Sequence, residues 1–227
     1  MAMAAPIRMN TWPQHMTTDA LTLAQLLSPS FPVGAFAYSH GLEAVIDDGT
    51  IQTADDLQGW LHCLLTSGSA HSDAVLLTLA FDADVADVDH IDALARAFAA
   101  SKERLLETDL QGGAFCETVE SVWDIDLGRR TYPVAVGRAA REMNLDRDLC
   151  TAMFLQAFVG NLCGAAMRLI PLGQTDGQRI QTALKPVCVD VAHTTKNATP
   201  DDLHSVTFAS DIAAMRHETQ HTRVFRS

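Results

Sequence analysis

Apolar residues recur three and four positions apart through most of residues 53–193, and no run of β-branched residues alternates with polar ones. A period near 3.6 buries one stripe of a helix, whereas a half-buried strand needs a period of two. That spacing confines the chain to an all-α architecture. Leu57, Trp60, Leu61, Leu64 and Leu65 form one stripe, behind a Thr53–Asp56 pair that resembles a capping box. Val75, Leu76 and Leu79 form the next. Ile91, Leu94, Phe98, Leu105 and Leu106 read as one helix that follows an aspartate-rich linker, and Phe115, Val119, Val122 and Trp123 as another. Pro133 suits a first turn and Asn144 a C-terminal stop. Asp146 is placed to cap a long central helix that Pro171 ends, and Thr175 or Asp176 to cap the next. Residues 178–184 and 187–193 read as short helices broken at Pro186.

The expected fold is a single all-α globular helical domain of about eight to ten helices, with no internal repeat. It spans residues 21–215, between a mobile N-terminal arm at 1–20, where periodicity is weak, and a C-terminal tail at 216–227. Little core is expected beyond residue 216, so the last five residues should contribute little to stability.

The net charge is −12, which repels phosphate backbones and argues against nucleic acid as a partner. The five cysteines are scattered without a CxxC pair and read as reduced core thiols, and the first twenty residues lack an apolar signal segment. Together these point to a cytoplasmic protein. Residues 151–172 are long enough to span a bilayer, but Gln156, Asn161 and Arg168 interrupt them. They read as a buried core helix rather than a membrane segment, with Gly160 and Gly164 letting a neighbouring helix approach closely.

Two patterns invite a metal. His217-Glu218-Thr219-Gln220-His221 matches HExxH, in which two histidines on one helical face bind zinc and the glutamate activates water. None of the six residues that follow is a zinc ligand of the usual kind. Asp82, Asp84, Asp87, Asp89 and Asp92 can hold a hard cation, but they lack an EF-hand's glycine and terminal glutamate and read as a solvated linker. The segment GQTDGQ at 173–178 lacks the GK[ST] ending of a phosphate loop. No nucleophile–base pair can be defended from residue order, so binding or scaffolding is favoured over catalysis. The rival readings are a zinc-dependent hydrolase built on His217, Glu218 and His221, and a helical adaptor of another kind.

Three stretches carry a family resemblance: LLSPSFPVGAFAYSHGLE at 26–43, LIPLGQTDGQR at 169–179, and RHETQHTRVFRS at 216–227. In order and spacing they resemble the urease accessory protein UreF family, over a region running from about residue 21 onward. The resemblance implies an all-helical, non-enzymatic chaperone for nickel insertion into urease. It implies UreD (also called UreH), the GTPase UreG and apo-urease as partners, and a homodimer within the complex. No cofactor would be held stably: the complex handles nickel, and the partner GTPase handles GTP. Ala35 and His40 depart from the family's GGFSYSQGLE, and His221 and Thr222 stand where Tyr and Ser are frequent. The Ala35 change is harmless only if that residue keeps a negative φ.

The resemblance nominates Phe36, Tyr38, Ser39, Gly41 and Glu43, then Gln174, Asp176 and Arg179, then Arg216, Glu218, Arg223, Phe225 and Arg226 as partner-binding residues. Phe36 and Tyr38 are flat amphipathic anchors of the kind interfaces favour, or core packing under the loop. Ser39 is placed to cap the helix that carries Glu43 in its first turn. The tail is read as a segment that orders on binding an acidic or apolar groove.

Overall fold

The computed structural model describes residues 14–227, and among them ten α-helices and no strand. Of the expected arm, residues 1–13 lie outside the described residues, and α1 already runs over Gln14–Leu26. There follow α2 (Leu42–Asp47), α3 (Ala54–Ser67), α4 (Ser69–Asp82), α5 (Val88–Ala97), α6 (Lys102–Trp123), α7 (Tyr132–Glu142), α8 (Arg147–Leu169), α9 (Gln174–Thr194) and α10 (Phe208–His217).

Several boundaries lie where side-chain chemistry places them. Thr53 and Asp56 form a reciprocal capping box at α3. Asn144 takes φ 52° beyond α7, and the Leu145 amide reaches back to the Ala140 carbonyl at 2.9 Å, a Schellman stop. Asp146 accepts the Leu149 amide at 2.7 Å to start α8. Ile170, forced to extended geometry by Pro171, ends that helix.

The expected boundaries need correction at three places. Residues 91–106 are not one helix: α5 ends at Ala97, and Ser101 caps α6 by accepting the Arg104 amide at 3.2 Å. Helix α6 then carries Leu105 and Leu106 together with Phe115, Val119, Val122 and Trp123. Pro186 does not break α9. Ile180, Leu184, Cys188 and Val191 are buried on one face, while Pro186 and Thr182 face solvent, so water can satisfy the carbonyl that proline leaves unbonded. Neither Thr175 nor Asp176 caps α9; both lie inside its first turn, after Gly173.

The core wraps α8, with α9, α4, α3 and α2 against it and α7 across α4. Helices α4 and α7 meet closely at Gly137, where a Cβ would sit 2.3 Å from the Leu77 carbonyl oxygen. Cys116, Cys150, Cys163 and Cys188 are buried, whereas Cys63 is exposed and so is not a core thiol. Helix α8 is apolar and long enough to cross a membrane, with half of its apolar window buried in this fold. Among the described residues, no helix packs onto Gly164, and α9 reaches Gly160 only through a side chain. A Cβ on Gly164 meets nothing within 4 Å, and one on Gly160 meets only the Gln181 side chain at 3.4 Å. Both line a cavity of about 690 Å³.

Candidate functional site

The first and third family-like stretches come together. Gly34 takes the positive φ (71°) before a 3-10 turn at Ala35–Ala37, so Ala35 is spared a left-handed conformation. His40 and Gly41 then adopt φ of 55° and 76° and swing the chain into α2. A Cβ on Gly41 would lie 2.6 Å from the Ala214 amide nitrogen, so glycine is what lets α10 rest on this turn. Gly41, not Ser39, occupies the N-cap of α2, but the Ser39 hydroxyl still accepts the Glu43 amide at 3.3 Å.

Three glutamates seat the C-terminal segment. Glu43, buried on α2, accepts the Val224 and Phe225 amides at 2.7 and 2.9 Å. Glu103 on α6 pairs with Arg223. Fully buried His217 lies between them, with Nδ1 2.7 Å from Glu103 and Nε2 3.3 Å from Glu43. One helical turn on, Glu107 accepts the Ser227 hydroxyl at 2.7 Å, the Gln111 amide at 2.9 Å, His40 Nε2 at 2.8 Å and Arg104 at 2.5 Å. The Ser39 amide and hydroxyl both donate to the Ser227 carbonyl, and the Arg226 amide donates to Ala37 at 2.8 Å. Phe225 is 4% exposed, with the Arg168 guanidinium 5.5 Å from its ring centroid.

Burial works against the Glu107 charge, but Arg104, His40 and Ser227 outweigh it and bring this carboxyl down to about 2. Burial, helped by the Arg104 charge, holds His40 below its usual value against the pull of Glu107. Burial also pushes Asp73, at the far side of Arg104, up to about 6.

This geometry corrects one expectation and weighs against one rival reading. Phe225 and Ser227 are core residues here, so the last five residues are integral to the packing. The HExxH string is not a zinc motif in this fold. Helix α10 stops at His217, both nitrogens of that imidazole face carboxylates, Glu218 accepts the Lys102 amide at 2.6 Å, and His221 is exposed. Among the described residues, no three His, Cys, Asp or Glu side chains are placed to share a metal ion.

The nominated residues therefore divide. Tyr38, Ser39, Glu43 and Phe225 are buried, and Gly41 is under α10. Phe36 stands 64% exposed at the large cavity, and Arg226 is exposed. Arg216 pairs with Asp48 at 2.9 Å. The middle stretch stands apart: Gln174 is exposed, and Asp176 and Arg179 pair with each other at 3.0 Å. It touches the cavity only through Gln178. Sequence reasoning missed Glu103, Arg104, Glu107 and Asp73. A signal existed: Glu107 and Gln111 fall one turn apart on the buried face of α6, where a core helix should be apolar.

Buried carboxylates holding backbone amides, beside an open apolar cavity, define a helical scaffold whose chemistry is spent on its own shape. The comparisons say which scaffold. The family model for UreF matches residues 51–185. The chain is 53% identical to the urease accessory protein UreF of Roseobacter denitrificans, over 93% of this chain and 96% of that one. It is 50% identical to that of Ruegeria sp. strain TM1040, over 93% of this chain and all of the relative, and 47% identical to that of Ruegeria pomeroyi, over 91% and 96%. The chain belongs to the UreF family.

Proposed function

We propose that this protein is a non-catalytic urease accessory protein that assembles with UreD (UreH) and the GTPase UreG on apo-urease and assists GTP-dependent nickel delivery in the cytoplasm. Nickel would be handled by the complex and GTP by the partner. The observation that carries the reading is family membership over nearly the full chain, joined to the convergence of two family-like stretches on one surface.

On that surface Phe36, Val224 and Arg226 are exposed, and no carboxylate among the described residues pairs with Arg226. An apolar–cationic patch on a chain of charge −12 suits an acidic, apolar-tipped partner surface. The open Gly160–Gly164 face of α8 would serve as a second docking face, where small residues would let a helix of a second copy approach closely within the complex. From α9, Gln178 and Gln181 line the same cavity.

Co-purification with UreD and UreG of the same source tests the reading, with urease activation as readout. The full chain should be retained and support activation, and Arg226→Ala should weaken retention. Urease activation that proceeds equally without this chain would overturn it.

A further inference from the structure

A second, smaller cavity of about 50 Å³ lies beneath α10, lined by His40, Asp73, Arg104 and Asp211 among serines. Three carboxylates surround one guanidinium there. Arg104 is 2.5 Å from Glu107 but 3.9 Å from Asp73. Asp211 is occupied by the Ser205 hydroxyl at 2.8 Å. No hydrogen bond from a described residue reaches the Asp73 carboxylate, whose side chain is 19% exposed. The His40 Nδ1 atom, on a side chain 10% exposed, is also without a partner.

Helix α10 closes this cavity with Ser210, Asp211 and Ala214, and only small side chains and His217 bury it. Phe208, Ile212 and Met215 face outward. A helix held by so little apolar area belongs to the less stable end of a fold.

We propose that seating of α10 on α2 and α6, over the cavity that Asp73 of α4 lines, takes up a proton, and that Asp73 is the group that receives it. In the seated form Asp73 is mostly enclosed, beside a guanidinium already committed to Glu107, so the neutral carboxyl is the better occupant. Its value near 6, against 3.8 for an unperturbed aspartate, agrees. The sign follows: the contribution to seating is full below pH 3.8 and is lost as pH rises through 6. The other charged groups facing Asp73 are Arg104 and Glu107 from α6, His40 from the turn before α2, and Asp211 from α10. Helices α5 and α7 contribute only Ala95, Phe98 and Pro133. On α4 itself His71 stacks on His204, 4.8 Å between ring centroids.

Hydrogen exchange of the full chain tests this, comparing wild type with Asp73→Asn at the same pH so that intrinsic exchange rates cancel. At pH 7.5, amides of α10 and of residues 218–227 should exchange about tenfold to a hundredfold more slowly in the variant. At pH 5.0 that difference should be about tenfold smaller, because wild-type Asp73 is then mostly protonated when seated. An equal ratio at both pH values would make Asp73 merely structural and overturn the proposal. Should the variant not fold, wild type alone decides. Protection of α10 relative to α8 must fall between pH 5 and 7.5, and a flat profile overturns it.

Discussion

The seat of the C-terminal segment and the face between α8 and α9 are built from opposite materials. In the first, charged and hydrogen-bonding groups are buried and satisfied by one another: Glu43, Glu103 and Glu107 hold the tail, and His217 and Arg104 hold the glutamates. In the second, small residues on α8 face an open cavity of about 690 Å³, whose far wall carries His40, Arg104 and Glu107 of the seat. Both regions contain stretches that resemble the family, so resemblance alone did not tell interior from surface. A buried carboxylate is expensive to disturb because its desolvation has already been incurred, while an open glycine face is nearly free to change. The seat should therefore govern stability, and the α8 face assembly.

The largest effect should come from deleting residues 223–227. That removes the Phe225 ring from the core and leaves Glu43 buried without its two amide donors. Urea unfolding should show a loss of about 3–5 kcal/mol. A loss under about 1 kcal/mol would erase the difference between the two regions.

Glu43→Gln comes next. One carbonyl oxygen cannot serve both amides and His217 as two carboxylate oxygens do, and the expected loss is about 2–3 kcal/mol. The matched change on the exposed pair, Asp176→Asn, should stay within about 0.5 kcal/mol.

Acid titration sharpens the same contrast. Glu107 lies near 2 when folded against 4.5 when unperturbed, so its contribution is present above pH 4.5 and is lost as pH falls toward 2. Wild-type stability should decline across that window by about 2–3 kcal/mol more than Glu107→Gln does, read from unfolding midpoints in a pH series. Parallel declines would show that Glu107 is not held by its partners.

The smallest effect on folding is expected at Gly164→Ala. A methyl there meets open space, and alanine favours a helix, so stability should stay unchanged or rise by up to about 1 kcal/mol. Self-association measured by sedimentation should nevertheless weaken. Unimpaired assembly would remove this face from the comparison.

Much of this protein was legible in its sequence. Periodicity fixed the all-α class, and the Thr53–Asp56 box, Asn144, Asp146 and Pro171 marked their boundaries, because each acts through neighbours within one or two turns. Local rules misplaced the rest. Pro186 stays inside α9 because burial on the opposite face outweighs one lost hydrogen bond. The α8 glycines, read as a packing seam within the chain, face a cavity.

Only the tertiary structure decided what the C-terminal residues are. Arg223, Val224, Phe225 and Ser227 meet Glu103, Glu43 and Glu107 across more than a hundred residues of chain. No periodicity reports such a meeting, and a short basic end with one phenylalanine reads as a tail that orders on a partner. The seat exists because α2, α6 and α10 converge, which depends on the close approach of Gly41 to Ala214. The sequence carried the ingredients of a buried charge network, and three-dimensional proximity determined which were paired and which, like Asp73, were left short of a partner.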